Sequence, residues 1–143
     1  MDVKDFVKKT YDEWNARDKE AFLSDYSDSV EITTPGGLVL RGRPGAEVFW
    51  ETWQGAFPDN EATIHNIVGV DDQAALEAVY EGPHIGALRA PDGTEMQPTG
   101  HHVSLKYSQF FVVRDDKVVS MHLYYDQLDL LTQLGLTPAP STA

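Results

Sequence analysis

Hydrophobic residues recur along this chain with two periods, and the change of period divides it. In the first part the spacing is helical. Val3, Phe6, Val7, Thr10, Tyr11 and Trp14 fall at i, i+3, i+4, i+7, i+8 and i+11, one face of an α-helix. Asp2 stands where an N-cap is needed, and Asp5 favours the first turn. Asn15-Ala16-Arg17-Asp18 breaks the pattern, and Asp18 can cap a second, short helix running through Tyr26. Val30–Thr34 reads as a strand stopped by Pro35-Gly36-Gly37, with Leu38–Leu40 as a short returning strand and Arg41–Gly45 as a turn. Ala46–Phe57 is predicted as a third helix, with Phe49, Trp53, Ala56 and Phe57 on one side, ended by Pro58-Asp59-Asn60.

After Asn60 the period becomes two. Ala62–Val70 and Ala74–Gly82 flank Asp71-Asp72-Gln73 as a hairpin. Residues 90–100 read as a loop, followed by two long strands, 102–114 and 117–125, joined at Asp115-Asp116. Gln127–Leu134 is predicted as a last helix closed by Gly135, and 137–143 as a disordered tail. Helices followed by consecutive antiparallel strands predict an α+β fold over 1–136, with helices on one face of the sheet.

Composition narrows the possibilities. A chain of 143 residues suits one domain, which buries roughly 68–70% of its unfolded surface. Eleven Lys and Arg against 23 Asp and Glu leave a formal charge of −12, which opposes binding to nucleic acid and to anionic membranes. The absence of cysteine excludes a disulfide framework, a thiolate metal site and a cysteine nucleophile. The charged start and the lack of any apolar run near ~18 residues predict a cytoplasmic protein without leader or span. Between Pro44 and Leu88 there is no Lys or Arg to clamp an anionic ligand. Gly36-Gly37 and Gly42 lack the spacing of a phosphate loop, so no nucleotide cofactor is expected. His101 and His102 would point to opposite faces of a strand, and His65 and His84 show no metal spacing, so no metal is expected either.

The long hairpin holds the candidate chemistry. A two-residue turn pairs Arg114 with Lys117. Gln109 then faces His122, Tyr107 faces Tyr124 and Leu105 faces Asp126, a polar side. The opposite side pairs Val112 with Val119, Phe110 with Met121 and Ser108 with Leu123. Either side is a candidate cavity wall. Trp14, Trp50, Trp53 and Tyr80 are flat side chains that fill a core or line a pocket for a flat ring system.

Four segments carry a family likeness: Phe57-Pro58-Asp59, Glu81–Gly86, Pro98-Thr99-Gly100 and Tyr124–Leu136. In this order and spacing the chain resembles the SnoaL-like polyketide cyclases of the nuclear transport factor 2-like superfamily. The resemblance implies a cone-shaped α+β fold. Its strongly curved, mostly antiparallel sheet wraps the helices around one apolar pocket, often in a homodimer formed through the sheet. It implies cofactor-free acid/base chemistry on a hydrophobic, carbonyl-bearing, polyketide-like substrate. Asp126 matches the aspartate that removes a proton α to a carbonyl, so that the enolate closes a ring by aldol addition. His122 would be its hydrogen-bond partner, and Phe110, Met121 and Tyr125 would form pocket wall beside Trp14 and Trp53. Asp126 can equally be the N-cap of the last helix. Ketosteroid isomerases of this superfamily carry acids where Thr34 and Ser108 stand here, and limonene-type epoxide hydrolases carry one where Leu123 stands, so both reactions are disfavoured. The same fold also serves non-catalytic binders, dimerisation modules, dehydratases and isomerases, so those readings stay open.

Overall fold

The amphipathic N-terminus forms α1 (Val3–Asn15), capped by Asp2, whose carboxylate accepts the Lys4 N–H. Val3, Phe6, Val7, Thr10 and Trp14 are its buried residues, the stripe that a 3.6-residue period places on one face. The computed structural model describes residues 1–89 and 93–136. The tail 137–143, expected to be disordered, and residues 90–92 of the expected loop lie outside the described residues. Asp18 caps α2 (Lys19–Ser24), which stops at Asp25, so Tyr26 opens β1 (Tyr26–Thr34) instead of ending the helix.

The remaining elements are β2 (Leu38–Arg41), α3 (Gly42–Ala56), β3 (Glu61–Val70), β4 (Gln73–Pro83), β5 (Leu88–Arg89), β6 (Glu95–Met96), β7 (His102–Arg114), β8 (Lys117–Tyr125) and α4 (Gln127–Gln133). The third helix starts four residues before the expected Ala46. Pro44, which suggested a turn, lies in its first turn, where a residue without an N–H costs no hydrogen bond. Part of the expected loop pairs as the short ribbon β5–β6.

Six strands form one sheet in the order β2-β1-β8-β7-β4-β3. The β1–β8 pair is parallel and the other pairs are antiparallel, so the sheet is mixed. Among the described residues no helix is long and apolar enough to cross a membrane.

The β7–β8 hairpin sets the site. Asp115 and Asp116 both adopt positive φ, 52° and 55°, the twist that a two-residue hairpin turn requires. Arg114 pairs with Lys117 and Val113 with Val118, but Val112 pairs with Ser120. Val119 is the extra residue of a β-bulge. A one-residue shift turns every later side chain to the other face. The register continues as Phe111–Met121, Gln109–Leu123 and Tyr107–Tyr125. The expected pairs Gln109–His122, Tyr107–Tyr124, Phe110–Met121 and Val112–Val119 are therefore corrected.

The inner face of the sheet meets the helices. Phe111 and Met121 are fully buried there, among Val7, Phe22, Phe49, Trp50 and Phe57. Each such side chain contributes about 1.5–3 kcal/mol by leaving water. α4 packs back on β7: the Gln133 side chain accepts from the Ser104 N–H at 2.7 Å and donates to the Ser104 carbonyl at 3.0 Å.

Candidate active site

A partly open cavity lies between the helices and the inner sheet face. α1 supplies Thr10, Tyr11 and Trp14, and α3 supplies Phe49 and Trp53, one helical turn apart. β7 supplies Leu105, Tyr107, Gln109 and Phe111, alternate residues that share one face, and β8 supplies Leu123 and Tyr125. Phe22, Tyr26, Ala62 and Tyr80 complete the lining. The free volume is about 60 Å³. At about 10–15 Å³ per water this holds a few waters and less than a whole aromatic ring.

Buried hydrogen bonds hold the walls in place. The Trp14 indole N–H donates to Asn60 Oδ1 at 2.8 Å, the Asn60 amide donates to Gln54 Oε1 at 2.8 Å, and the Gln54 amide returns to the Trp14 carbonyl at 3.1 Å. This closed loop ties α1 to α3. Trp53 stands edge-to-face against both Tyr80 and Tyr125, with ring centres 5.7 Å apart in each case. The Tyr80 hydroxyl donates to the Trp53 carbonyl at 2.8 Å.

One polar line crosses the cavity wall. The Tyr11 hydroxyl donates to Gln109 Oε1 and lies 2.9 Å from the Tyr107 hydroxyl. Gln109 Nε2 approaches Met121 Sδ at 3.5 Å. Burial pushes the phenols of Tyr11, Tyr107 and Tyr80 above the ordinary range and that of Tyr125 up to about 12. All four are protonated at neutral pH. No carboxylate, imidazole, lysine or arginine is among the lining residues. The wall can therefore stack on a flat molecule and exchange neutral hydrogen bonds with it.

Three of the expected site residues, Trp14, Trp53 and Tyr125, meet at this cavity. The other four do not. Met121 is fully buried on the same inner face, beside Phe111 and Gln109, but is not among the residues that line the cavity. Phe110 and His122 pair with each other on the outer face of the sheet, because the Val119 bulge turns β8 over relative to the expected register. Phe110 is 39% exposed, and His122 stacks on Tyr124, whose hydroxyl lies 3.3 Å from its Nδ1. Asp126 is exposed and caps α4: its Oδ1 accepts the N–H groups of Leu128 at 2.9 Å and Asp129 at 3.1 Å. It is not a lining residue, and Tyr125, its neighbour in sequence, takes the cavity side instead.

Tyr11 was legible as part of a helical face, and Tyr107 and Gln109 as the polar side of the hairpin. What joins them is long-range. A helix stripe that carries Thr10 and Tyr11 among apolar residues, and a strand face that carries Tyr107 and Gln109, both signal a buried surface with hydrogen bonds to satisfy.

A second titratable group lies outside the cavity. Lys9 Nζ bridges Glu13 at 3.3 Å and Asp25 at 2.8 Å, while Glu13 Oε1 and Asp25 Oδ2 are buried without a partner among the described residues. Burial, and then the neighbouring Asp25 carboxylate, push the Glu13 carboxyl up to about 7, with Lys9 acting against them.

Solved structures share this fold. A candidate SnoaL-like polyketide cyclase from Jannaschia sp. CCS1 superposes with a TM-score of 0.81 at 21% identity, covering 95% of this chain and 93% of that one. IdmH, a candidate polyketide cyclase from Streptomyces antibioticus, gives 0.78 at 26% identity over 94% and 99%. A candidate polyketide cyclase from Pseudomonas putida KT2440 gives 0.76 at 24% over 93% and 98%. No curated protein matches the chain. The family model of the SnoaL-like polyketide cyclases matches residues 4–134, nearly the whole chain, and the protein therefore belongs to that family.

Proposed function

We propose that the cavity receives a flat, neutral, carbonyl-bearing molecule of the polyketide type and favours its ring closure without a cofactor. The observation that carries this reading is the make-up of the wall: aromatic faces, one neutral hydrogen-bond line and no ionised group. Such a wall rewards stacking and loss of apolar surface, and it penalises a charged ligand that would enter without a counterion. The family name and the likeness to IdmH support the reaction class. In an aldol closure the enol carbon bonds to a carbonyl carbon, the enol hydroxyl loses a proton and the carbonyl oxygen gains one. Nothing is consumed. A methylene between two carbonyls enolises readily, so holding the folded chain in near-attack geometry is the larger task, and it is one that a shaped aromatic cavity performs. Because the free volume is smaller than one ring, entry requires the half-buried Trp53 or Tyr125 to swing aside, or part of the ligand to project into solvent.

Calorimetric titration with 1-indanone, a flat neutral bicyclic ketone, tests the reading. The protein should bind one equivalent, bind indane-2-carboxylate at least tenfold more weakly, and lose affinity for both on Trp53→Ala. Equal binding of the anion would contradict it.

A second reading keeps the cavity and drops the chemistry: a non-catalytic binder of the same ligands. It is favoured by tyrosine being the sole titratable residue type in the wall. Turnover separates the two. An aryl 1,3-diketone bearing a pendant ketone should cyclise faster with protein than without, and a Trp53→Ala variant should lose that acceleration. The exposed outer face bearing Phe110, Tyr124 and Val68 is our candidate for the homodimer surface that the family resemblance implies, and sedimentation of a Phe110→Glu variant tests it.

A further inference from the structure

The hydrogen-bond line in the cavity wall has a direction, fixed by counting its protons. Gln109 offers Oε1 to Tyr11 and Nε2 to Met121 Sδ. The reverse amide orientation would set Oε1 against the thioether sulfur, two lone-pair atoms with no proton between them, so Oε1 belongs on the Tyr11 side. An amide oxygen only accepts, and Tyr11 has one phenolic proton, so that proton is committed to Gln109. The 2.9 Å contact between the two phenols then requires Tyr107 to donate to Tyr11. The order is Tyr107 to Tyr11 to Gln109. Tyr107 has spent its proton, makes no other hydrogen bond among the described residues, and lines the cavity. What it presents to a ligand is a lone pair.

We propose that Tyr107 is a hydrogen-bond acceptor toward the ligand, so that the cavity selects molecules with a phenol or enol hydroxyl at that position over ketones of the same shape. This rests on the cavity being the ligand site and names the form of the ligand it prefers. For a 1,3-dicarbonyl substrate that form is the enol, the nucleophilic partner in ring closure. An aromatised product, which carries a phenol, is held the same way. Tyr11 and Gln109 act on specificity from behind, by keeping the Tyr107 proton pointed away from the ligand. Tyr125 and Trp53 also line the cavity, and neither the Tyr125 hydroxyl nor the Trp53 indole N–H has a partner among the described residues. They are donors free to meet a carbonyl elsewhere on the same molecule, as is the hydroxyl of Tyr26, another lining residue without a side-chain partner among the described residues.

Three probes of one shape test this: indane, 1-indanone and indan-4-ol, titrated by calorimetry at pH 7. The wild type should bind indan-4-ol about 3–10-fold tighter than 1-indanone, the size of one net hydrogen bond. Tyr107→Phe should erase that preference, weakening indan-4-ol relative to both 1-indanone and indane. Tyr11→Phe frees the Tyr107 proton to face the cavity, so 1-indanone should gain about threefold or more relative to indan-4-ol. Near-UV circular dichroism checks both folds, and if Tyr107→Phe does not fold, Tyr11→Phe decides. Equal binding of the three probes, or a preference unaltered by either variant, overturns the inference and leaves the cavity as a ligand site. Failure of all three to bind overturns the cavity reading itself and the inference with it.

Discussion

The hydroxyl of Tyr11 donates to the amide oxygen of Gln109, joining α1 to β7 across 98 positions of sequence. Both side chains line the cavity, so one contact closes the helix layer onto the sheet and sets the polarity of the cavity wall. Removing the donor leaves Gln109 Oε1 buried without its proton. Tyr11→Phe should therefore destabilise the fold by about 1–3 kcal/mol, the cost of an unsatisfied buried acceptor. Urea unfolding at constant slope measures it, and a loss below a few tenths would show that Gln109 is satisfied by water.

The two phenylalanines next to each other in β7 should differ sharply. Phe111 is 1% exposed and Phe110 is 39% exposed. Phe111→Ala should cost about 3–5 kcal/mol, the range for buried aromatic truncations, whereas Phe110→Ala should cost under about 1 kcal/mol at concentrations where the chain is monomeric. Reversed magnitudes would mean that β7 turns its other face to the helices.

Asp126 caps α4. Asparagine caps about as well as aspartate, and alanine costs about 0.5–2 kcal/mol. Asp126→Asn should keep both stability and probe affinity, and Asp126→Ala should lose stability alone. A fall of a hundredfold or more in the ring-closing rate of Asp126→Asn, with the melting temperature unchanged, would restore the carboxylate as general base.

Stability should fall as the pH rises past the carboxyl pair. Glu13 takes up its proton at about 7 in the fold against an ordinary 4.5. Between those values the folded protein holds a proton that the unfolded chain does not, so raising the pH favours unfolding. The contribution is complete below about 4.5 and is lost as the pH passes 7. Glu13→Gln should flatten this part of the stability profile from pH 5 to 8, measured as denaturant midpoints. A profile identical to the wild type would mean that Glu13 ionises normally.

Much of this arrangement is legible in the sequence, because it follows from local periodicity. The α1 stripe, the caps Asp2, Asp18 and Asp126, the Asp115-Asp116 turn and the pairing of Arg114 with Lys117 need only neighbouring residues to specify them. The Val119 bulge is different. It inserts one residue three positions past the turn, in a β-branched pair, Val118-Val119, which carries no local mark. One signal was present: Leu105 and Phe111 alternate on one strand while Met121 and Leu123 alternate on the other, and both sets cannot face inward in the register that the turn begins. An extra residue is the way to reconcile them. The mixed topology was hidden for a related reason, since the parallel β1–β8 contact brings together residues at opposite ends of the chain. The cavity needs all of these at once, which is why Trp14 and Trp53 were legible as candidates and the Tyr107–Tyr11–Gln109 line was not.

Entry of ligands between the helices and the inner sheet face, and not at the outer face bearing Phe110 and His122, would mark the two faces differently. Side-chain NMR during titration with 1-indanone reads both faces in one experiment. The Trp53 indole N–H and the ring signals of Tyr107 and Tyr125 should shift in step with saturation, while His122, Tyr124 and Asp126 stay fixed. Saturable shifts at His122 and Tyr124 with a silent Trp53 would contradict entry at the inner face.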